Sequence, residues 1–281
     1  MKLTLWGTRG SLATPGPDTA RYGGNTSCVA VRGREGGILV LDAGTGIRRM
    51  GSTIDTSASR IDLLLTHLHM DHIQGLGFFE PLYRPGLDVH IWGPASVQTS
   101  LKGRLMRYLS PPLFPVRLSE LPCRLTLHEV SEAHVDIGEF RVTAAHVCHP
   151  GPTVGYRITD SIGKVATYLP DHEPALGANA FPSLPREWTS GAILAEDSDL
   201  LIHDSQYTSQ QYASHVGWGH SSLAQVLDFA ALVEAKHLVP FHHDPGHSDA
   251  DLDLMFAEAV DARDPACRVT PGQEGATFCI E

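Results

Sequence analysis

Short apolar runs separated by polar or glycine-rich turns recur along the whole chain. Helical spacing of apolar residues extends over 96–109, 222–235 and 250–263, and Ser248 with Asp251 has the pattern of a capping box before the last of these. Because strand-like runs occur in both halves with helices between them, we predict an α+β fold, an αββα sandwich of two packed mixed sheets flanked by helices. The strand-like runs occupy residues 3–6, 28–31, 38–41, 61–65, 89–92, 124–130, 140–145, 153–158, 165–169, 200–203 and 238–241.

One segment differs from this pattern. Glu173 to Ser190 is rich in proline, glycine and alanine and lacks periodicity. A stretch of this length inside a domain is more often a functional flap than a linker, so we expect it to cover the substrate. No repeat, low-complexity tract or linker interrupts the rest, and we interpret residues 1–281 as a single domain.

The charge balance narrows the range of partners. The chain carries 21 Lys and Arg against 32 Asp and Glu, which gives a net charge of −11, and it has no basic run. Proteins that grip long nucleic acids usually present a basic face, so a large nucleic acid is disfavoured as a partner. Bound divalent cations would offset part of the negative charge at the site itself.

The cysteines and the apolar runs bear on location. The five cysteines are odd in number, and no pair has the close spacing of a metal site, so we interpret them as reduced and mostly buried thiols. The first residues lack the pattern of a signal peptide. No apolar run approaches the roughly 20 residues that a membrane span needs. We therefore expect a cytoplasmic protein without a membrane partner.

Sixteen histidines are the unusual feature of the composition, and several fall in one motif. His67-x-His69-x-Asp71-His72 directly follows the predicted strand 61–65. Side chains alternate along a strand, so His67 and His69 point to the same side. A turn into a short helix would bring Asp71 and His72 back toward the same point. Imidazoles and carboxylates are ligands of zinc, manganese and iron, and the motif therefore predicts a site for two cations.

This motif resembles the signature of the metallo-β-lactamase superfamily, and further elements of that family's pattern are present. The third element is a histidine followed by proline and glycine, and His149 matches it before Pro150 and Gly151. His146 competes for the same role three residues earlier, although a structural role suits it better. The fourth element is an aspartate after a strand, which Asp171 matches.

The last element of the pattern is a histidine at a late strand end. His242 holds that position after the run 238–241, and His243 is the neighbouring alternative. The resemblance implies the metallo-β-lactamase fold and two divalent ions per chain, with zinc expected and manganese or iron as alternatives. The implied ligands are His67, His69 and His149 for one ion, Asp71, His72 and His242 for the other, and Asp171 between them.

A second pair of segments indicates a branch of the family. His203-Asp204-Ser205-Gln206 follows a predicted strand, and Gly219-His220-Ser221-Ser222 opens a helix. The pair resembles the phosphodiesterase branch that includes ribonuclease Z, where an acidic residue orients a histidine that contacts phosphate or protonates the leaving oxygen. Asp204 and His220 would take these catalytic roles, and Asp71 would both bind metal and orient the nucleophile. The alternatives are a turn residue for Asp204 and a surface or capping residue for His220.

Two further segments leave their roles open. Arg21 or Asn25 could contact an anionic substrate, or their segment could be only a tight turn before a strand. Asp42 could support a ligand histidine, or it could be a turn residue alone.

These observations favour a binuclear phosphodiesterase that cleaves a small nucleotide-like or cyclic phosphate ester with a hydroxide shared between the two metals. The long basic arm typical of ribonuclease Z is absent from the segment between His149 and Asp171, which disfavours tRNA processing. The alternative is a hydrolase of a carbon centre, such as a lactone, thioester or β-lactam, and a third class is a non-hydrolytic binder or an oxygen-using diiron protein. A homodimer is left open, since members of the family are often dimers.

Overall fold

The computed structural model describes residues 1–177 and 185–281, and the described residues form two seven-stranded sheets. The strands are β1 (Lys2–Gly7), β2 (Cys28–Arg32), β3 (Ile38–Leu41), β4 (Arg60–Leu64), β5 (Asp88–Pro94), β6 (Arg124–Val130), β7 (Ala133–Ile137), β8 (Phe140–His146), β9 (Val154–Thr159), β10 (Val165–Leu169), β11 (Leu200–Asp204), β12 (His237–Phe241), β13 (Arg268–Val269) and β14 (Thr277–Cys279).

Each sheet is half antiparallel and half parallel. The first sheet has the order β14-β1-β2-β3-β4-β5-β6, in which β14 to β3 pair antiparallel and β3 to β6 pair parallel. The second has the order β13-β12-β11-β10-β9-β8-β7, in which β7 to β10 pair antiparallel and β10 to β13 pair parallel. Both sheets are therefore mixed, as the sequence predicts.

Helices cover the outer faces of the two sheets. The α-helices are α1 (Ile47–Gly51), α2 (Met70–Ile73), α3 (Leu101–Leu105), α4 (Ala192–Ala195), α5 (Ser209–Tyr212), α6 (Leu223–Leu232) and α7 (Asp249–Arg263). Short 3₁₀ turns lie at Pro17–Thr19, Leu76–Phe78, Glu80–Tyr83, Leu118–Glu120 and Arg186–Trp188. Helices α1 and α3 bury apolar side chains against the first sheet, and α4 and α6 do so against the second. A third cluster fills the space between the sheets, which confirms the αββα sandwich.

The parallel halves bring several chain turns to one end of the sandwich. Strands β4, β10, β11 and β12 all deliver their carboxyl ends there, because parallel neighbours share a direction. The hydroxyl of Tyr156 donates to the carbonyl of Leu65 (2.8 Å), and the amide of Val154 donates to the carbonyl of Thr66 (2.9 Å). These bonds join the two sheets at the end where the polar motif follows β4.

Two sequence predictions differ from the structure. The helix predicted over 96–109 is only α3, because the side chain of Ser100 caps it by accepting from Gly103 and so starts the helix there. Strands β7, β13 and β14 were not predicted. The first residues of β7 alternate between half-buried apolar and exposed polar side chains in a hairpin with β8, and β13 and β14 have only two and three residues. The capping box of Ser248 and Asp251 before α7 is present as predicted.

Three further expectations concern the chain as a whole. None of the helices within 1–177 and 185–281 has the length and apolar character of a membrane span. All five cysteines lie among the described residues and none forms a disulfide. The predicted flap falls partly on residues 178–184, which lie outside the described residues. The single domain stays a prediction.

Candidate metal centre

Three histidines form what we call the first donor group, which consists of His67, His69 and His149. His67 and His69 follow β4, and His149 lies in the turn between β8 and β9. Nε2 of His149 lies 3.1 Å from Nδ1 of His69, and the three imidazoles share one cluster with Asp171 whose donor atoms all lie within 4.8 Å of one another. His67 and the side chain of His149 are buried, whereas His69 is exposed and opens the cluster to solvent.

Asp71, His72 and His242 form the second donor group. Asp71 and His72 lie in the single turn of α2, and His242 follows β12. Nε2 of His72 lies 3.3 Å from Oδ2 of Asp71 and 3.3 Å from Nε2 of His242. Gly10 packs against this ring so closely that an added Cβ would lie 2.3 Å from Nδ1 of His242, and only glycine fits there.

Asp171 lies between the two groups and turns one oxygen toward each. Its Oδ2 lies 3.7 Å from Nε2 of both His67 and His149. Its Oδ1 lies 2.8 Å from Nε2 of His72 and 3.3 Å from Nε2 of His242. The structure thus brings together all seven residues that the sequence nominated as ligands.

The donor set fits divalent cations. Nε2 of His67 is buried and has no hydrogen-bond partner, which is costly unless a cation occupies the space it faces. The other ring nitrogen of four of these histidines is bonded, as is typical of imidazoles that ligate metals. The acceptors of those four Nδ1 atoms are Thr66 Oγ1 for His67, Asp42 Oδ2 for His72, the Gly219 carbonyl for His149 and Gln206 Oε1 for His242.

Asp42 supports both groups from behind. Its Oδ2 accepts from Nδ1 of His72 (2.8 Å) and from the hydroxyl of Tyr168 (3.0 Å). It also accepts from the hydroxyl of Thr66 (2.9 Å), whose oxygen is then free to accept from Nδ1 of His67 at 3.1 Å. This is the supporting role that the sequence left open for Asp42, held in a left-handed backbone conformation (φ 57°).

The two groups differ in their protonation. Burial lowers the pKa of His67 far below its usual range and that of His149 to about 4, so both imidazoles are neutral. Burial also opposes the charge on His72, but the carboxylates of Asp171, Asp71 and Asp42 outweigh it and raise that pKa well above its usual value. Despite burial, the neighbouring imidazoles hold the carboxyls of Asp71 and Asp171 ionised by lowering each pKa.

The pair nominated for acid catalysis lies beside the donor groups. Nδ1 of His220 donates to Oδ2 of Asp204 (2.6 Å) and lies 4.0 Å from Oδ2 of Asp171. Its ring stacks on His242 with centroids 5.1 Å apart. Burial works against the imidazolium, but the Asp204 carboxylate raises the pKa of His220 to about 9. Because Nδ1 is bound to Asp204, Nε2 is the ring atom left to reach a substrate.

The residues that the sequence left as alternatives lie elsewhere. Exposed His146 contacts the carbonyl of Thr153, and buried His243 donates to the carbonyl of Gly272, so neither joins a donor group. Arg21 binds the carboxylate of Asp253, and Asn25 binds Glu274. These contacts are within the protein, and a contact of either residue with an anionic substrate stays a prediction.

Other contacts at the centre were not predicted. The amide of Ser11 donates to Oδ2 of Asp71 (2.7 Å), and the carbonyl of Gly219 and the side chain of Gln206 orient two of the imidazoles. Gln206 lies two residues beyond Asp204, which is a signal that could have indicated it. The Ser11 amide and the Gly219 carbonyl are backbone groups, and no residue type marks them.

Comparisons with known proteins agree with this geometry. The model of the family described as "Beta-lactamase superfamily domain" matches residues 38–243. A relative named ribonuclease Z from Haloarcula marismortui is 26% identical over an alignment of 313 positions, which covers 94% of this chain and 92% of the relative.

Two solved structures are similar along nearly the whole chain. The metallo-β-lactamase fold protein YhfI from Bacillus subtilis has a TM-score of 0.70 at 17% identity, over 99% of this chain and 98% of that chain. A diphosphatase from the PhnP family has a TM-score of 0.68 at 19% identity, over 99% and 96%. At these identities the structures show the fold, which is the one predicted.

The comparisons also bear on activity. The relatives confirm the prediction of a metal-dependent hydrolase. They do not support the expectation that a large nucleic acid is disfavoured as a partner, because a relative that aligns with 94% of this chain is named ribonuclease Z.

Proposed function

The chain belongs to the β-lactamase superfamily domain family, and from that premise we propose that it is a binuclear phosphodiesterase acting on a small nucleotide-like or cyclic phosphate ester. The single observation that carries this proposal is the pair of Asp204 and His220, whose Nδ1 lies 4.0 Å from the shared carboxylate of Asp171. A protonated imidazole at that place suits a reaction in which an alkoxide or phenolate departs.

The residues divide the work of such a reaction. Asp171 and the two donor groups would hold two divalent ions, which we propose are zinc. When bound, two such ions would lower the pKa of a water molecule toward neutral, which makes hydroxide available as the nucleophile, and would offset negative charge on phosphate oxygens. Asp71, fixed by the Ser11 amide, keeps one carboxylate oxygen directed at the centre. His220 would give its Nε2 proton to the leaving oxygen, and Asp204 would hold the ring in the required tautomer.

The net charge supports a small substrate. With 32 acidic and 21 basic residues, the surface offers little attraction to a long phosphate backbone. A structural neighbour named a diphosphatase from the PhnP family supports a small phosphorylated substrate, whereas relatives named ribonuclease Z support RNA. We propose that the substrate class is the former, acted on in the cytoplasm by a chain that forms one domain.

Hydrolysis of bis(p-nitrophenyl) phosphate, with bound metal quantified in the same sample, tests the proposal. We expect turnover in the wild-type protein and a loss of about 10²–10⁴-fold in His220→Ala with metal retained. An equal rate in a metal-replete His220→Ala protein would contradict the role of the pair. No turnover despite two bound metals would instead favour lactone, thioester or lactam substrates, and efficient 3′ trimming of a precursor tRNA would contradict the small substrate.

A further inference from the structure

Glu173 is a fully buried carboxylate that belongs to neither donor group. It lies two residues beyond Asp171, and none of the ion pairs among residues 1–177 and 185–281 includes it. Its Oε1 accepts from the hydroxyl of Tyr212 (2.8 Å) and from the amide of Gly217 (3.0 Å). Its Oε2 accepts from the amide of Gly219 (2.8 Å) and also from that of Gly217 (3.1 Å). The buried carboxyl group thus accepts from two glycine amides of one loop and from the tyrosine hydroxyl at the end of α5.

That loop, residues 213–219, carries two elements of the centre. The carbonyl of Gly219 accepts from Nδ1 of His149 (2.8 Å), which leaves Nε2 as the atom that faces the other donors. His220 follows directly and binds Asp204 at 2.6 Å. A displacement of Gly219 would therefore move a candidate ligand's support and the candidate acid together.

The backbone of the loop explains why a carboxylate is needed. Gly217 and Gly219 both have left-handed φ angles (86° and 87°), which turn their amides inward toward Glu173. An added Cβ on Gly219 would lie 2.4 Å from Nδ1 of His149, so the backbone runs close to that ring. A carboxylate offers about four acceptor sites and no donor, whereas an amide would present its NH₂ to one of these N–H groups.

We infer that Glu173 is a positioning residue, which holds the loop 213–219 so that His149 presents Nε2 to the cation of the first donor group and His220 presents Nε2 to the leaving group. Its role toward His220 rests on the proposed function, but its role toward His149 does not. Tyr212 extends the same contact to the preceding segment, since its hydroxyl accepts from the amide of Gly177 (3.0 Å).

Glu173→Gln tests the inference, with Tyr212→Phe as its control. Tyr212→Phe removes one donor to Glu173 and leaves both glycine amides bound, so its kcat should stay within about threefold of wild type. In zinc-replete Glu173→Gln we expect kcat to fall about 10²-fold for a diester with a phenyl leaving group and about 10-fold for one with a p-nitrophenyl leaving group. The difference arises because p-nitrophenolate is the better leaving group and needs less help from an acid than phenolate does. KM should change by less than about threefold.

A double variant separates positioning from general loss of structure. If Glu173 acts through His220, adding Glu173→Gln to His220→Ala should cost less than about threefold in kcat, measured at equal metal content. The inference would be overturned if Glu173→Gln lowered kcat equally for both esters and if its effect multiplied in full with that of His220→Ala in the double variant. If Glu173→Gln does not fold, Glu173→Asp keeps the charge with a shorter reach and should show the same leaving-group dependence in weaker form.

Amide hydrogen exchange and zinc affinity provide readouts that need no substrate. In Glu173→Gln the amides of Gly217 and Gly219 should exchange at least about 10-fold faster, and zinc should bind about 10-fold or more weakly. An inactive wild-type protein in which both readouts still respond would refute the proposed function and retain the role of Glu173 toward His149. If the wild-type protein is active but Glu173→Gln is unchanged in every readout, the role of Glu173 is refuted and the proposed function is retained.

Discussion

The two donor groups share Asp171 but differ in the charge that surrounds them. The first group is three imidazoles, and burial lowers the pKa of His67 and His149 so that both rings are neutral. In the second group the carboxylates of Asp171, Asp71 and Asp42 raise the pKa of His72 above its usual range, which favours the protonated ring when no cation is bound. The first group is therefore ready for a cation, whereas the second exchanges a proton for one.

The largest effect should come from the residue that the groups share. Asp171→Asn removes the carboxylate charge between them, so we expect both cations to be lost and turnover to be abolished. Metal analysis after gel filtration measures the loss of cations, and hydrolysis of bis(p-nitrophenyl) phosphate measures the loss of turnover. The control is Asp62→Asn, a buried carboxylate bound to Arg60 and Trp92 away from the centre, which should keep both metals. Full metal content in Asp171→Asn would show that the groups are independent.

The groups can be separated by removing a ligand from one of them. His69→Ala should strip the cation from the first group and abolish turnover, while the second group keeps its full set of donors. His146→Ala is the matched control, since this histidine is exposed and hydrogen-bonds the carbonyl of Thr153 outside both donor groups. Zinc quantification should give a reduced content for the first variant alone. Equal effects of the two variants would contradict the assignment of His69.

A smaller effect is expected from the support behind the groups. Asp42→Asn removes the carboxylate that fixes the tautomer of His72, and asparagine tolerates the left-handed backbone at this position. We expect zinc affinity to fall about 10–100-fold at the second group, measured by competition with a chelator. The first group contacts Asp42 only through Thr66 and should weaken less. A larger loss of zinc affinity at the first group than at the second would contradict this prediction.

The smallest expected effect is a difference between the two donor groups in how their cation affinity depends on pH. The raised pKa of His72 means that its proton must leave before a cation binds, so affinity at the second group should rise with pH through the neutral range. The pKa of His149 at about 4 predicts an affinity at the first group that is nearly flat above pH 6. Calorimetry in buffers of different ionisation enthalpy should detect release of about one proton with the second cation and little with the first. Proton release with the first cation and little with the second would contradict the proposed difference between the two groups.

The sequence predicted those strands and ligands that short stretches of neighbouring residues determine. The strands β3, β6 and β10 have the predicted bounds, because their apolar runs are bordered by turn residues. The motif from His67 to His72 is contiguous, so residue type and spacing alone indicate it. His149, Asp171 and His242 come from separate strand ends, and only the resemblance to a family linked them to the motif.

The remaining parts depend on contacts that no local pattern encodes. Tyr168 reaches Asp42 across 126 residues, and Gly219 reaches His149 across 70. Glu173 accepts from amides 44 and 46 residues away, and its sequence neighbours do not indicate this. Such contacts depend on how the two sheets pack against each other, and the order of strands along the chain does not say which residues then meet.

Titration of the metal-free protein with zinc, with hydrolysis of bis(p-nitrophenyl) phosphate measured at each step, tests the central claim most directly. Two donor groups joined by Asp171 predict saturation at two equivalents, with most of the activity appearing as the second equivalent binds. Saturation at one equivalent with full activity would contradict the account, because the second donor group would then have no part in the reaction.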